Sequence, residues 1–268
     1  KYEAQGNSGL INIILKKNPN LGFSGNINSG LTQRTYTNGS TNGTLNYQTE
    51  NLSLSFKTTY IEGAKRSDER YSILGASQNF SRSVRKDRWQ DLTPSINASY
   101  KINKNSEVGM EYIKKKKKSG MDILNTTRNI SSSLQEQNLL TNTFHREKSP
   151  THTFSTYYDL KLDSLGKKLS IAGNFYKNNN GTEVNFSTFA VADQTVQYVK
   201  TLSEIKPQIF SVQADLELPY QFGTIETGVK FNQFRNSADL KYFNLENSQY
   251  LIDEEKGSVF DYQEENYA

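Results

Sequence analysis

Two stretches of this 268-residue chain hold enough charge in close order to bind something. Lys114 to Lys118 are five consecutive lysines, and between Arg66 and Trp89 lie Arg66, Arg70, Arg82, Arg85, Lys86 and Arg88. The second set suits an anionic or carbohydrate ligand; the plainer reading is a solvated loop, and for the lysines a solvated strand extension. His145 and His152 are the only histidines, and their separation matches no zinc signature. Asp253-Glu254-Glu255 lacks the ordered ligands and the glycine of a calcium loop. Cysteine is absent, which excludes disulfides, thiolate metal sites and cysteine nucleophiles. No nucleophile elbow, phosphate loop or dinucleotide fingerprint occurs. Glu107, Asp159, Asp215, Glu217 and Glu226 fall in polar positions, with nothing pairing two of them as acid and base. The expectation is a chain that is not an enzyme and holds no cofactor or metal.

The elements that position these residues are two-faced strands. From Phe210 to Leu218, apolar Phe210, Val212, Ala214, Leu216 and Leu218 alternate with Ser211, Gln213, Asp215 and Glu217. After a break at Pro219 to Gly223, Ile225, Thr227, Val229 and Phe231 alternate with Thr224, Glu226, Gly228 and Lys230. Side chains of a strand point to opposite faces in turn, so this is a hairpin with one greasy and one wet face. The same alternation recurs at Phe23 to Leu31, Gly43 to Tyr47, Leu52 to Tyr60, Ile96 to Ile102 and Val108 to Tyr112. It returns at Phe154 to Leu162 and Leu169 to Phe175, with a last arm beginning at Phe260. Counted together, the arms predict about ten strands.

Connections decide the class. Tight turns near Glu50-Asn51, Asn103 to Asn105, Asp163 to Gly166 and Pro219 to Gly223 alternate with polar segments of roughly 20 to 35 residues: 62–86, 114–148, 178–204 and 236–258. Compact soluble domains rarely repeat loops of that length, whereas outer-membrane barrels alternate short periplasmic turns with long extracellular loops. Mean hydropathy is −0.75 and no apolar run is long enough for a transmembrane helix, but a barrel with a wet interior is polar on average too. Aromatics near strand ends fit interfacial girdles, although singly each is ordinary strand composition. The net charge of +4 is spread along the chain and argues against a nucleic-acid partner. The chain opens at Lys1-Tyr2-Glu3 without Met or signal peptide and reads as a piece of a longer protein.

Residues 1–20 differ from the rest. Tyr2-Glu-Ala-Gln-Gly-Asn-Ser-Gly-Leu-Ile-Asn-Ile-Ile-Leu-Lys-Lys17 is a glycine turn running into a short apolar strand with a basic stop, followed by Gly22-Phe23-Ser24-Gly25. By itself this could be a buried strand at the edge of a soluble domain. The order of its parts resembles the junction between plug and barrel in TonB-dependent outer-membrane receptors, in particular the Bacteroidetes-type outer-membrane β-barrel family. Gly6 and Gly9 match the family's glycines, Ile11, Asn12 and Ile13 its last plug strand, and Lys16 and Lys17 the basic end.

The resemblance implies residues 1–20 as the end of a plug and 21–268 as the first half of an antiparallel up-and-down transmembrane barrel. It further implies import of an extracellular ligand driven by the periplasmic TonB system, in the outer membrane of a Gram-negative bacterium. The wet face would line the lumen: Asn26, Asn28, Gln48, Lys57, Asn97, Lys101, Glu107, Asp159, Lys161, Gln213, Asp215, Glu226 and Lys230. Arg66, Arg82, Arg85, Lys86, Arg88, Trp89, Lys114, Lys115 and Lys116 are the candidates for contact with an extracellular ligand or with lipopolysaccharide phosphates. A surface lipoprotein or larger outer-membrane complex is a further candidate partner. Two rival readings are a barrel that serves only as a structural subunit, and a secreted β-sandwich or adhesin whose apolar faces pack on each other.

Overall fold

Alternation at this density leaves the backbone one economical use, which is to pair each arm with the next. A computed structural model describes residues 21–268, and in them every regular element is a strand. β1 (Gly22–Gln33), β2 (Thr37–Gln48), β3 (Leu52–Ile73), β4 (Gln78–Lys101), β5 (Ser106–Ile130) and β6 (Glu136–Lys161) run up and down, each antiparallel to the one before. Beyond β6 the staves come in pieces. β7 (Lys168–Asn178) and β8 (Asn180–Ala190) lie end to end against β6, and β9 (Thr195–Ile205) and β10 (Gln208–Tyr220) end to end against them. β11 (Gly223–Glu246) spans β9 and β10, and β12 (Gln249–Ile252) and β13 (Ser258–Tyr267) lie along its far side. Thirteen described strands thus form ten staves of one sheet, as the alternation predicts. Among the described residues the first and last staves do not pair, so the sheet is open.

Two prolines explain two of the breaks. Pro150 on β6 faces Asn179, and Pro207 faces Asn178 on the other side of that stave. Each proline accepts a backbone hydrogen bond, from Asn179 at 3.1 Å and from Asn178 at 3.0 Å, but neither can return one. The register is the same above and below, since Thr151 pairs Asn178 and Lys148 pairs Gly181 without an inserted residue. Asn178 fills the gap: its side-chain amide donates to Ser149 Oγ at 2.8 Å, Thr151 Oγ1 at 2.7 Å and the Pro150 carbonyl at 3.3 Å. It is among the few buried polar residues of the described chain.

The long loops are not loops. Residues 62–86, 114–148, 178–204 and 236–258 continue the staves, so that β3 to β6 reach 22, 24, 25 and 26 residues and turn only at 74–77 and 131–135. The later staves turn at 191–194 and 247–248. Both faces of these extensions are polar, which erases the two-residue period that betrays a strand; the ladder is held by cross-strand ion pairs and hydroxyl and amide bonds instead. The four tight turns at the opposite end stand where the sequence places them. At one of them Asp163 Oδ1 accepts the backbone N–H groups of Leu165 and Lys167, both at 3.0 Å, and Gly166 takes the positive φ of 101° that the turn requires.

A single sheet has no second layer to pack against. Val199 is the one buried hydrophobic residue among those described, while Phe23, Ile27 and Val229 are 77%, 79% and 67% exposed. The sandwich reading finds no support, because among the described residues no second sheet covers the apolar face. The plug-junction residues Gly6, Gly9, Ile11, Asn12, Ile13, Lys16 and Lys17 lie outside the described residues.

Candidate functional site

Register turns the alternation of single strands into rows that cross the whole sheet. One row reads Phe23, Tyr47, Leu54, Ala98, Met110, Thr156, Gly173, Val212, Phe231 and Tyr267. The row one residue away, on the opposite face, reads Ser24, Asn46, Ser55, Asn97, Glu111, Ser155, Asn174, Ser211, Asn232 and Asn266. All ten are polar. Further apolar rows flank the first on its own face, so that β6 and the residue after it show Phe154, Thr156, Tyr158, Leu160 and Leu162 along nine residues, about 30 Å of extended chain. That length is a tilted membrane crossing.

The thirteen residues expected to line a lumen, from Asn26 to Lys230, all fall on the polar face by register. Some of them bond one another's neighbours: Tyr157 donates to Glu107 at 2.7 Å, Gln213 to Asp215 at 2.7 Å, and Lys168 pairs Asp159 at 3.0 Å. Tyr157 also lies over Gly109, where an added Cβ would come within 2.2 Å of its ring. Sequence reading missed an apolar patch on this same face, formed by Ile113, Tyr176, Ile209 and Phe234, with the Phe234 ring 5.8 Å from that of Tyr262. Its signal was the doublets Tyr112-Ile113, Phe175-Tyr176 and Ile209-Phe210, each of which puts an apolar side chain on both faces at one height.

Beyond the apolar band the staves rise as a charged wall. Asp122 accepts from Arg88 at 2.5 Å and from Arg146 at 2.7 Å, the two arginines reaching diagonally past Gly120 from the strands on either side. Those bonds, Arg88's first, hold the Asp122 carboxyl below its ordinary range. Arg82 does the same to Asp68 at 2.6 Å, and Arg128 to Glu136 at 2.8 Å. Burial works against ionisation of Glu147, yet bonds from Ser119 and Lys117 still bring its carboxyl down.

The wall divides the candidate ligand residues between its faces. Arg66, Arg82, Lys86, Arg88, Lys114 and Lys116 share the face of the apolar band; Arg85, Trp89 and Lys115 share the polar face. They do not form one site. Most are engaged: Arg85 with Asp87 at 2.8 Å, Lys115 with Asp91 at 3.7 Å, and Lys86 over the Tyr36 ring at 4.2 Å. His145 and His152 also lie on opposite faces, and the Tyr112 hydroxyl sits 2.7 Å from His152 Nδ1.

With this geometry in hand, residues 160–268 match the outer membrane protein beta-barrel family. The likeness, over less than half of the chain, places the protein in the outer membrane. No curated protein matches it. Among solved structures it is similar to the outer membrane protease OmpT from Escherichia coli, at 7% identity and a TM-score of 0.35, over 90% of both chains. It is also similar to the NanC porin, at 10% identity and a TM-score of 0.22, over 80% of this chain and 97% of the porin. These likenesses are too slight to carry an activity across. The expectation that the chain is not an enzyme is withdrawn, because it rested on missing soluble-enzyme motifs, which do not speak for a barrel whose reacting groups come from separate staves.

Proposed function

We propose that this chain is part of an outer-membrane receptor that captures a ligand within its tall charged wall and imports it with energy from the periplasmic TonB system. The observation that carries the barrel is the pair of adjacent ten-residue rows, one apolar and one polar. Such a sheet suits lipid on one side and water on the other, and little else. The receptor reading rests on the resemblance of residues 1–20 to a plug-barrel junction, with Gly6, Gly9, Ile11-Asn12-Ile13 and Lys16-Lys17 in that family's order. On this reading 1–20 end the plug, 21–268 begin the barrel, and the polar face lines its lumen.

The inner patch of Ile113, Tyr176, Ile209 and Phe234 supports a plug as well, since apolar side chains in an otherwise wet interior call for a packed partner. The wall's inner face, with Trp89, Arg85 and Lys115, would meet the ligand. Candidate partners remain the lipid and lipopolysaccharide around the barrel, the TonB system, and a surface lipoprotein or larger complex.

The test uses the full-length protein in its native membrane. A heat-modifiable band in the outer-membrane fraction is expected, together with cross-linking of the protein to TonB. A heat-modifiable band with no cross-link under any growth condition would retain the barrel and overturn the receptor.

A further inference from the structure

The five lysines from Lys114 to Lys118 are treated in two ways by the sheet. Lys115 and Lys117 turn to the polar face and are paired, with Asp91 at 3.7 Å and Glu147 at 3.2 Å. Lys114, Lys116 and Lys118 turn to the other face, the one that carries the apolar band, and make no ion pair among the described residues. Lys148 lies directly opposite Lys118, and Lys177 lies beyond His152 in the row of Lys114. Across β4 to β8, the three rows above the band on this face contain no carboxylate: Pro94, Leu92 and Gln90; then Lys114, Lys116 and Lys118; then His152, Pro150 and Lys148; then Lys177, Asn179 and Gly181.

Position gives this patch its meaning. Lys114 stands one outward-facing step above Tyr112, and Lys177 one step above Phe175, in the row where the apolar band ends. Lipid tails covering Tyr112, Phe154 and Phe175 bring their head groups level with the first of these lysines. Unpaired ammonium groups on alternate residues of one strand repel one another, and an anion between them relieves that repulsion.

We propose that Lys114, Lys116, Lys118, Lys148 and Lys177 form a site on the outer wall for the phosphate head group of a membrane lipid. The proposal rests on the barrel reading and is independent of transport. The site would fix the height of the barrel in the leaflet, because its upper lysines sit only two and four residues beyond the first.

The experiment compares full-length protein in detergent micelles with variants in which one triad and two pairs of lysines are altered to glutamine. The probe is a short-chain phosphatidic acid added to the micelles, with phosphatidylcholine as zwitterionic control and inorganic phosphate as the free-anion control. K114Q/K116Q/K118Q is expected to weaken phosphatidic acid binding on the order of 10- to 100-fold. K115Q/K117Q is expected to leave it within about twofold, since those lysines face away. The double variant K148Q/K177Q, on neighbouring staves, is expected to weaken binding about tenfold and serves if the triple variant does not assemble. Equal losses in the inward and outward variants would overturn the proposal, and so would competition by inorganic phosphate at the concentration of the lipid, which would mark a site for free anions only. Heat-modifiability of each variant reads the barrel separately, so its loss would count against the barrel rather than the site.

Discussion

The lower and upper halves of the same staves solve the strand problem by different means. In the band, each residue's face is set by its solvent: Val212 and Phe231 meet across one face, Gln213 and Lys230 across the other. In the wall, both faces are wet, and partners replace solvent as the organising rule, as where Asp122 draws Arg88 and Arg146 to itself. A strand can therefore be specified by what surrounds it or by what sits beside it. Only the first leaves a periodic trace in the sequence.

The sharpest way to break that comparison is to insert a charge in each face of the band. Val212→Arg is expected to cost about 2–4 kcal/mol near the midplane and block assembly, while its neighbour Gln213→Arg is tolerated; heat-modifiability of the two proteins decides, and equal behaviour would remove the lipid face. Next comes the seam between the halves. Asn178→Ala leaves three acceptors around Pro150 without their donor and is expected to cost about 1–3 kcal/mol, read as a lower denaturant midpoint with Asn178→Asp as a less destructive companion.

Smaller still are changes in the wall. Asp122→Asn is expected to cost about 1 kcal/mol or less, since its partners are half exposed, and to speed amide exchange in β4 to β6 above residue 116 without altering the band. pH acts in the same place. Because Arg88 and Arg146 depress the Asp122 carboxyl below 3.8, its stabilisation is full above that value and is lost as pH falls through the lower folded value. Asp68 and Glu136 follow the same sign, so exchange in the wall is expected to rise below about pH 4 while the band stays protected.

Much of the fold was legible. The number of staves, the four tight turns and the face of every residue from Asn26 to Lys230 in the wet set follow from period two and the turn residues alone. The wall was not, for a physical reason: Arg66, Ser67, Asp68, Glu69 and Arg70 have the composition of a loop, and only the strand opposite, with Arg82 reaching back to Asp68, makes them a ladder. The candidate ligand set is split between two faces for the same cause. Read as a loop, Arg85 and Arg88 could converge; on a strand, an odd and an even residue cannot. The lysine run, by contrast, could have been divided from the sequence, because it begins in phase with Val108, Met110 and Tyr112.

The height of the wall has an electrostatic consequence. From His152 to Glu136 the sixth strand climbs about 50 Å along its own length beyond the apolar band. In physiological salt the field of a charged surface fades over about 8 Å. A solute arriving at the rim is therefore blind to the charge of the lipid below, and whatever first attracts or rejects it there must be written in the turns at 74–77 and 131–135 themselves.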